Sequence, residues 1–157
     1  GNAVPPPLAR AIAAQMIEAA MLSYHADMTL ANNPYELGMD RLVDLDVPYD
    51  FVSKAALTRI RDTGVAQKFV GLTFDGPPIV GSNDEHWPVH MGDMRVGHVT
   101  SAIYSPRLDQ NIALAMVKAA HADVGTQVTV DLGHDPRNGQ IVPKPFYDPK
   151  KTLAAKG

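Results

Sequence analysis

Val96-Gly97-His98-Val99-Thr100-Ser101-Ala102-Ile103-Tyr104-Ser105-Pro106-Arg107-Leu108-Asp109-Gln110-Asn111-Ile112-Ala113-Leu114-Ala115-Met116-Val117 sets two apolar runs on either side of a polar, proline-bearing corner. The first run carries Val96, Val99, Thr100 and Ile103, whose β-branched side chains suit a pleated, half-buried surface. Ser105-Pro106 ends it, because proline removes a ladder donor and restricts the residue before it. The second run, Asn111 to Val117, is almost wholly apolar. Periodicity alone does not separate a buried strand from a buried helical turn here. The run is short and flanked by glycine and proline, which predicts a strand.

Outward from this stretch the same texture continues. From Gln67 onward, short apolar runs alternate with turn residues, the pattern of a barrel or sandwich. The expected strands are 68–74, 87–91, 95–104, 112–117, 126–132 and 140–145. Asp75-Gly76-Pro77-Pro78, Met91-Gly92-Asp93 and 133–139 are the expected turns, and Asn138-Gly139 is a tight hairpin signal.

The N-terminal part differs. Pro5-Pro6-Pro7 is a stiff polyproline lead on which a helix can start. Leu8 to Leu22 is rich in helix formers, with Leu8, Ile12, Met16 and Ala19 at helical spacing, so propensity alone predicts one helix through Met21. Asn32-Asn33-Pro34 marks a turn, and Pro34 can begin a short helix. Asp40 to Asp46 alternates in a way that suggests a strand. Asp50 is placed to cap a helix from Phe51 to about Asp62, with Phe51, Ala55, Leu57 and Ile60 inward and Gly64 as its C-terminal cap.

Composition narrows the function classes. The 157 residues carry a formal charge of −3 and no basic block, which argues against a nucleic-acid partner. Cysteine is absent, which excludes disulfides, thiolate metal sites and a cysteine nucleophile. No apolar run has the length of a bilayer span and no secretory leader is visible, so a cytoplasmic protein with no membrane partner is expected.

Gly97-x-Val99-Thr100-Ser101, Ser105-Pro106-x-Leu108 and Asn111-Ile112-Ala113-Leu114-Ala115, in that order and spacing, resemble the C-terminal domain of the aminomethyltransferases, the T-proteins of glycine cleavage. Val142-Pro143-x-Pro145-Phe146-Tyr147 resembles the end of that domain. The resemblance continues upstream through Asn33-Pro34-x-Glu36-x-Gly38 and Asp50-Phe51-x-x-Lys54-x-Ala56-Leu57, and covers the chain from about Ile17. It implies a fold of α+β class, mainly β: an antiparallel β barrel or sandwich preceded by a short α/β remnant of a folate-binding domain. The implied divisions are 1–46 for that remnant, 47–66 for a helical linker, 67–147 for the barrel and 148–157 for a loose tail. It also implies relatives roughly twice as long, so that the chain, which starts at Gly1 without Met, is expected to be the C-terminal part of a larger protein whose N-terminal half is its partner.

The cofactor implied by the resemblance is tetrahydrofolate, with a small one-carbon donor as second substrate. Glu18 stands in the triplet Glu18-Ala19-Ala20, where the family carries Glu-Ala-Gly and uses the glutamate to hold the pterin ring. A carboxylate accepts two neighbouring N–H donors at once, which fixes ring orientation. By the same resemblance, residues 17–24 are extended, the preceding helix ends near Ala14 to Met16, and Tyr24 either lines the pocket or is a half-buried strand residue. Ser101, Tyr104 and Arg107 fall on the edge that faces folate in the family. Arg107 either meets the glutamate tail of folate or is a surface arginine after a turn. The carboxylate that assists catalysis in T-proteins has no match in the chain, so no catalytic residue is assigned. The basic cluster of T-proteins is replaced by Asp44-Leu45-Asp46. With the lost glycine and with Leu22-Ser23-Tyr24-x-x-Asp27-Met28-Thr29, this looks closer to the dimethylsulfoniopropionate demethylase-like branch, in which a methyl group is transferred. The alternatives are the glycine cleavage aminomethyltransferase itself and a non-catalytic barrel serving as lid or docking surface.

His86, His90 and His98 invite a metal site, but Pro88 interrupts the spacing and no carboxylate repeats it, so no metal is expected. Trp87 is expected to plug the barrel end.

Overall fold

In the computed structural model, residues 6–81, 83, 85–133 and 135–150 are described. Pro5 of the polyproline lead, His134 of the expected 133–139 turn and 151–157 of the expected tail lie outside the described residues. The order is α1 (Pro6–Glu18), a 3-10 turn (Asp40–Leu42), α2 (Lys54–Thr63), β1 (Gln67–Phe74), β2 (Pro88–Met91), β3 (Met94–Ser105), β4 (Gln110–Lys118), a 3-10 turn (Ala119–His121), β5 (Gln127–Asp131) and β6 (Pro136–Val142). The strands close into an antiparallel barrel in the order β1-β4-β3-β2-β5-β6, with β6 returning to β1. Of the barrel and sandwich expected from the spacing, the barrel is the one formed.

β3 and β4 are the two runs of the opening stretch, paired from Gly97↔Val117 to Ser105↔Gln110 across the proline corner. The composition of β4 now has a cause. Ala113, Ala115 and Val117 point into the barrel with Val70, Leu72, Phe74, Val99 and Val130. Ile112, Leu114 and Met116 point outward, against Ala14 and Ile17 of α1 and against Phe69 and Ile103. A strand buried on both faces is apolar at every position rather than at alternate ones. Each of the fully buried side chains Ile112 and Leu114 contributes roughly 1.5–3 kcal/mol relative to exposure. Elsewhere the ladder is uneven: β1 and β4 pair along eight residues of β1, whereas β2 and β5 meet only at Val89↔Val130 and His90↔Thr129.

Several local expectations are corrected. α1 runs to Glu18, beyond the end near Ala14 to Met16 and short of Met21, so Ile17 and Glu18 are helical rather than extended. Leu8, Ile12 and Met16 form its exposed side, at 52%, 46% and 39%. Residues 34–38 are turns and not a helix, and 40–46 hold a 3-10 turn and no strand. α2 begins at Lys54, not Phe51, because Ser53 is left-handed at φ +75° and no helix runs back through it; the Asp50 carboxylate accepts the N–H of Phe51 rather than one in the first helical turn. None of its residues is buried; its end at Gly64 is as expected, with φ +81° and an N–H donated to Ile60 O. Asn138-Gly139 is not a hairpin turn. The turn comes earlier, with Gly133 at φ +95°, and β6 starts at Pro136, a position where a strand tolerates proline. Gly139 is needed for a different reason: a Cβ there would lie 2.8 Å from Thr73 O of β1.

Candidate functional site

The site is built where α1 stops. The N–H of Ala20 donates to Ile17 O at 2.8 Å and that of Met21 to Met16 O at 2.9 Å, the paired bonds of a Schellman helix end. Such an end needs one left-handed residue, and Ala20 supplies it at φ +52°. The third position of the Glu18-Ala19-Ala20 triplet is thus a helix-terminating position. Ala20 itself makes the chain reversal there, which leaves Glu18 as the last helical residue.

Two other segments converge on Glu18. Its carbonyl accepts the N–H of Phe146 (2.9 Å) and of Tyr147 (3.2 Å), tying the segment after β6 to the helix end. Its side chain is buried, at 4% exposure for the residue, and Oε1 accepts the Ser105 hydroxyl at 2.5 Å. The Ser105 Oγ also accepts the N–H of Leu108 at 3.2 Å. Oε2 has the Arg107 Nε beside it at 3.6 Å, close enough for charge attraction and too far for a good hydrogen bond. The Arg107 guanidinium lies over the Tyr147 ring, 4.2 Å from its centroid, and this pair is the solvent-facing side of the cluster. A carboxylate offers about four acceptor positions, and among the described residues one is taken by a short hydrogen bond. Glu18 therefore retains the capacity to accept a pair of N–H donors.

Of the predicted site residues, the structure brings Arg107 to Glu18 and gives the others different partners. Tyr24 is half exposed and leans on the His25 ring at 4.2 Å. The Ser101 hydroxyl donates to Asp27 Oδ1 at 2.7 Å. Tyr104 donates to Asp109, and that bond pushes its phenol above the usual range. Sequence reasoning passed over Ser105 and Asp27. Asp27 is buried and accepts Thr100 Oγ1 (2.6 Å), Ser101 Oγ (2.7 Å) and the N–H of Ser23 (2.8 Å), which fastens the 23–29 segment to β3. The Ser105 bond to the following Leu108 N–H is a local turn pattern legible in Ser-Pro-x-Leu; its partner 87 residues away is not.

A cleft of about 810 Å³ lies away from Glu18. Asp44, Leu45 and Asp46 line it, with Arg61 and Lys68 facing them, so the acidic edge is partly neutralised. It is an open gap between the 35–46 segment, α2 and β1, whereas the Glu18 cluster presents a buried charge with directional partners; the cluster is the better candidate site. His86 and His98 stack with ring centroids 4.9 Å apart and nearly parallel planes, and burial, helped by His86 and Arg95, lowers the His98 pKa below 6.5. Among the described residues no group of three or more His, Asp or Glu side chains stands close enough to hold a metal ion. Trp87 packs edge-on to Phe74 at 6.5 Å against the barrel core. Burial lowers the Lys144 pKa over the Phe69 ring.

Residues 67–148 match the family described as glycine cleavage T-protein C-terminal barrel domain. The chain belongs to the glycine cleavage T-protein family. Among curated T-protein relatives, it is 38% identical over 131 residues to an aminomethyltransferase of Synechococcus sp. (strain CC9902), covering 83% of this chain and 35% of that one. It is 36% identical over 138 residues to an aminomethyltransferase of Thermosynechococcus vestitus, covering 88% and 37%. The chain thus spans little more than a third of the length of these relatives, which exceed the expected twofold length. The crystal structure of glycine cleavage system aminomethyltransferase T from Bartonella henselae shares the fold, with a TM-score of 0.75 at 21% identity over 85% of this chain and 37% of that one.

Proposed function

We propose that this chain is the C-terminal portion of a tetrahydrofolate-dependent one-carbon transferase, and that Glu18 receives the pterin ring. The observation that carries the reading is the Glu18 carboxylate: buried, held on Oε1 by Ser105, and with Arg107 beside Oε2 at 3.6 Å, too far for a good hydrogen bond. The pterin edge presents an exocyclic amine and a ring N–H side by side, and a carboxylate matches both. Tetrahydrofolate supplies the nucleophilic nitrogen that takes up the one-carbon unit. This chain's part is to hold and orient the ring, and positioning of that kind lowers a barrier by pre-arranging the reactants. In this reading Arg107 guards the ring edge rather than a distant tail, while Tyr24, Ser101 and Tyr104, engaged by His25, Asp27 and Asp109, stand outside the ring's contacts. The exposed Leu8, Ile12 and Met16 of α1 fit a chain that continues into a larger cytoplasmic protein, whose upstream part covers them.

Glu18→Gln keeps the shape and loses the charge and one acceptor. In the longer protein it is expected to weaken tetrahydrofolate binding by about 1.5–3 kcal/mol, measured by titration calorimetry. Unchanged affinity would refute the reading.

Two donors divide the proposal. The resemblance of the 22–29 segment to the demethylase-like branch favours a cationic methyl donor, a sulfonium or amine; Asp44 and Asp46 line a separate cleft with Arg61 and Lys68 and carry no weight in the choice. The relatives' name, aminomethyltransferase, favours the aminomethyl group of glycine cleavage. We favour the methyl donor. An assay with tetrahydrofolate and each donor class separates them: methyl-tetrahydrofolate is the expected product, and methylene-tetrahydrofolate from the aminomethyl carrier alone overturns the choice.

A further inference from the structure

We propose that Ser105 is the residue that gives Glu18 its ligand specificity, by holding the carboxylate as an acceptor toward a ligand edge with two adjacent N–H donors. This rests on the pterin reading above and deepens it. Ser105 is fully buried at the corner between β3 and β4, and its hydroxyl makes two contacts of opposite sense. The Leu108 N–H, which can only donate, occupies a lone pair of Oγ at 3.2 Å. The one hydroxyl proton is thereby directed to Glu18 Oε1, 2.5 Å away. Arg107, beside Oε2, likewise brings donors and no acceptor. Among the described residues the side chains that meet the Glu18 carboxylate are donors, as an acceptor-only group requires, and by fixing its rotation they decide where its remaining acceptor positions point, toward a ligand that donates. A ligand carrying a carbonyl in place of the amine sets oxygen against oxygen. One that lacks the amine leaves an acceptor unpaired, and a site built to meet a donor rejects it.

The terminal torsion of a glutamate is soft, so without an anchor the carboxylate rotates and its preference for one edge fades. The backbone of Ser105 adds rigidity to the anchor. Pro106 follows it, and Ser105 pairs with Gln110 across the corner, so Oγ is placed by strand geometry rather than by a mobile loop.

The test compares binding of tetrahydrofolate and of its 2-desamino analogue to the longer protein that carries this chain. Ser105→Ala is expected to weaken tetrahydrofolate about 10- to 100-fold and the analogue little, so that the affinity ratio collapses. A ratio is insensitive to any unfolded fraction, which lowers both bindings alike. Ser105→Thr keeps the hydroxyl and is expected to keep the ratio. If Ser105→Ala does not fold, Ser105→Cys, similar in size and a weak donor, is judged by the same ratio. A wild-type ratio in the variant that lacks the hydroxyl overturns the role of Ser105, as does equal loss for both ligands. Glu18→Gln separates the two levels. If it weakens tetrahydrofolate while the Ser105 variants keep the ratio, only this inference falls; if it changes nothing, the pterin reading falls as well.

Discussion

Ala20 holds a left-handed conformation, φ +52°, at a position where the helix end asks for glycine. For a residue with a Cβ that conformation costs roughly 1–2 kcal/mol. Ala20→Gly is expected to raise stability by about 1 kcal/mol, since part of the relief is offset by the greater freedom of glycine in the unfolded chain. Urea unfolding at fixed slope measures it. A second single-residue effect concerns protons. His98 faces His86 across the stack and has Arg95 on its own strand, Lys118 beside the same hollow, and Asp27 and His25 in the adjoining pocket. Its folded pKa lies below the ordinary 6.5, so between the two values the unfolded chain binds more protons than the folded one. Stability from this group is full above pH 6.5 and is lost as pH falls through 6.5 toward the lower folded value. Thermal unfolding across that window is expected to show the loss in the native protein and its absence in His98→Asn.

At the scale of elements, legibility followed the source of each signal. β3 and β4 were legible because β-branching, proline and a continuous apolar run are local properties. What β4 is buried against was not, since one of its two faces is covered by α1, far away in sequence. The 40–46 segment alternates like a strand yet finds no neighbour to pair with, and a strand exists only through its partner. The Asn138-Gly139 pair looked like a turn because the close approach of β6 to β1 asks for the same small residue. Glu18 became a candidate only through the family resemblance, whereas its hydrogen bond with Ser105 required the fold. Gly97 shows the same cause more strongly: a Cβ there would meet Met116 O at 2.3 Å and the Val117 Cα at 2.9 Å. These are backbone atoms of β4 that cannot step aside. Gly97→Ala is expected to destabilise by about 3 kcal/mol, at the upper end of overpacking effects, with the urea midpoint as readout.

Across the whole molecule, the barrel forms one interior and α1 lays a second apolar layer on its outside, fixed at Glu18 by the β3–β4 corner and by the segment after β6. The candidate site is therefore a junction of three remote segments rather than a depression in any one of them. Its shape depends on the barrel staying closed, and the ladder is least secure where β2 meets β5 through two residue pairs. Strain or heat that opens the ring has its easiest route there. Parting those two pairs turns a ring without free borders into an open sheet with two unsatisfied strand borders, each able to take up a strand from another molecule. The narrow join between β2 and β5 is thus also the gate through which this protein would pass from closed barrel to aggregate.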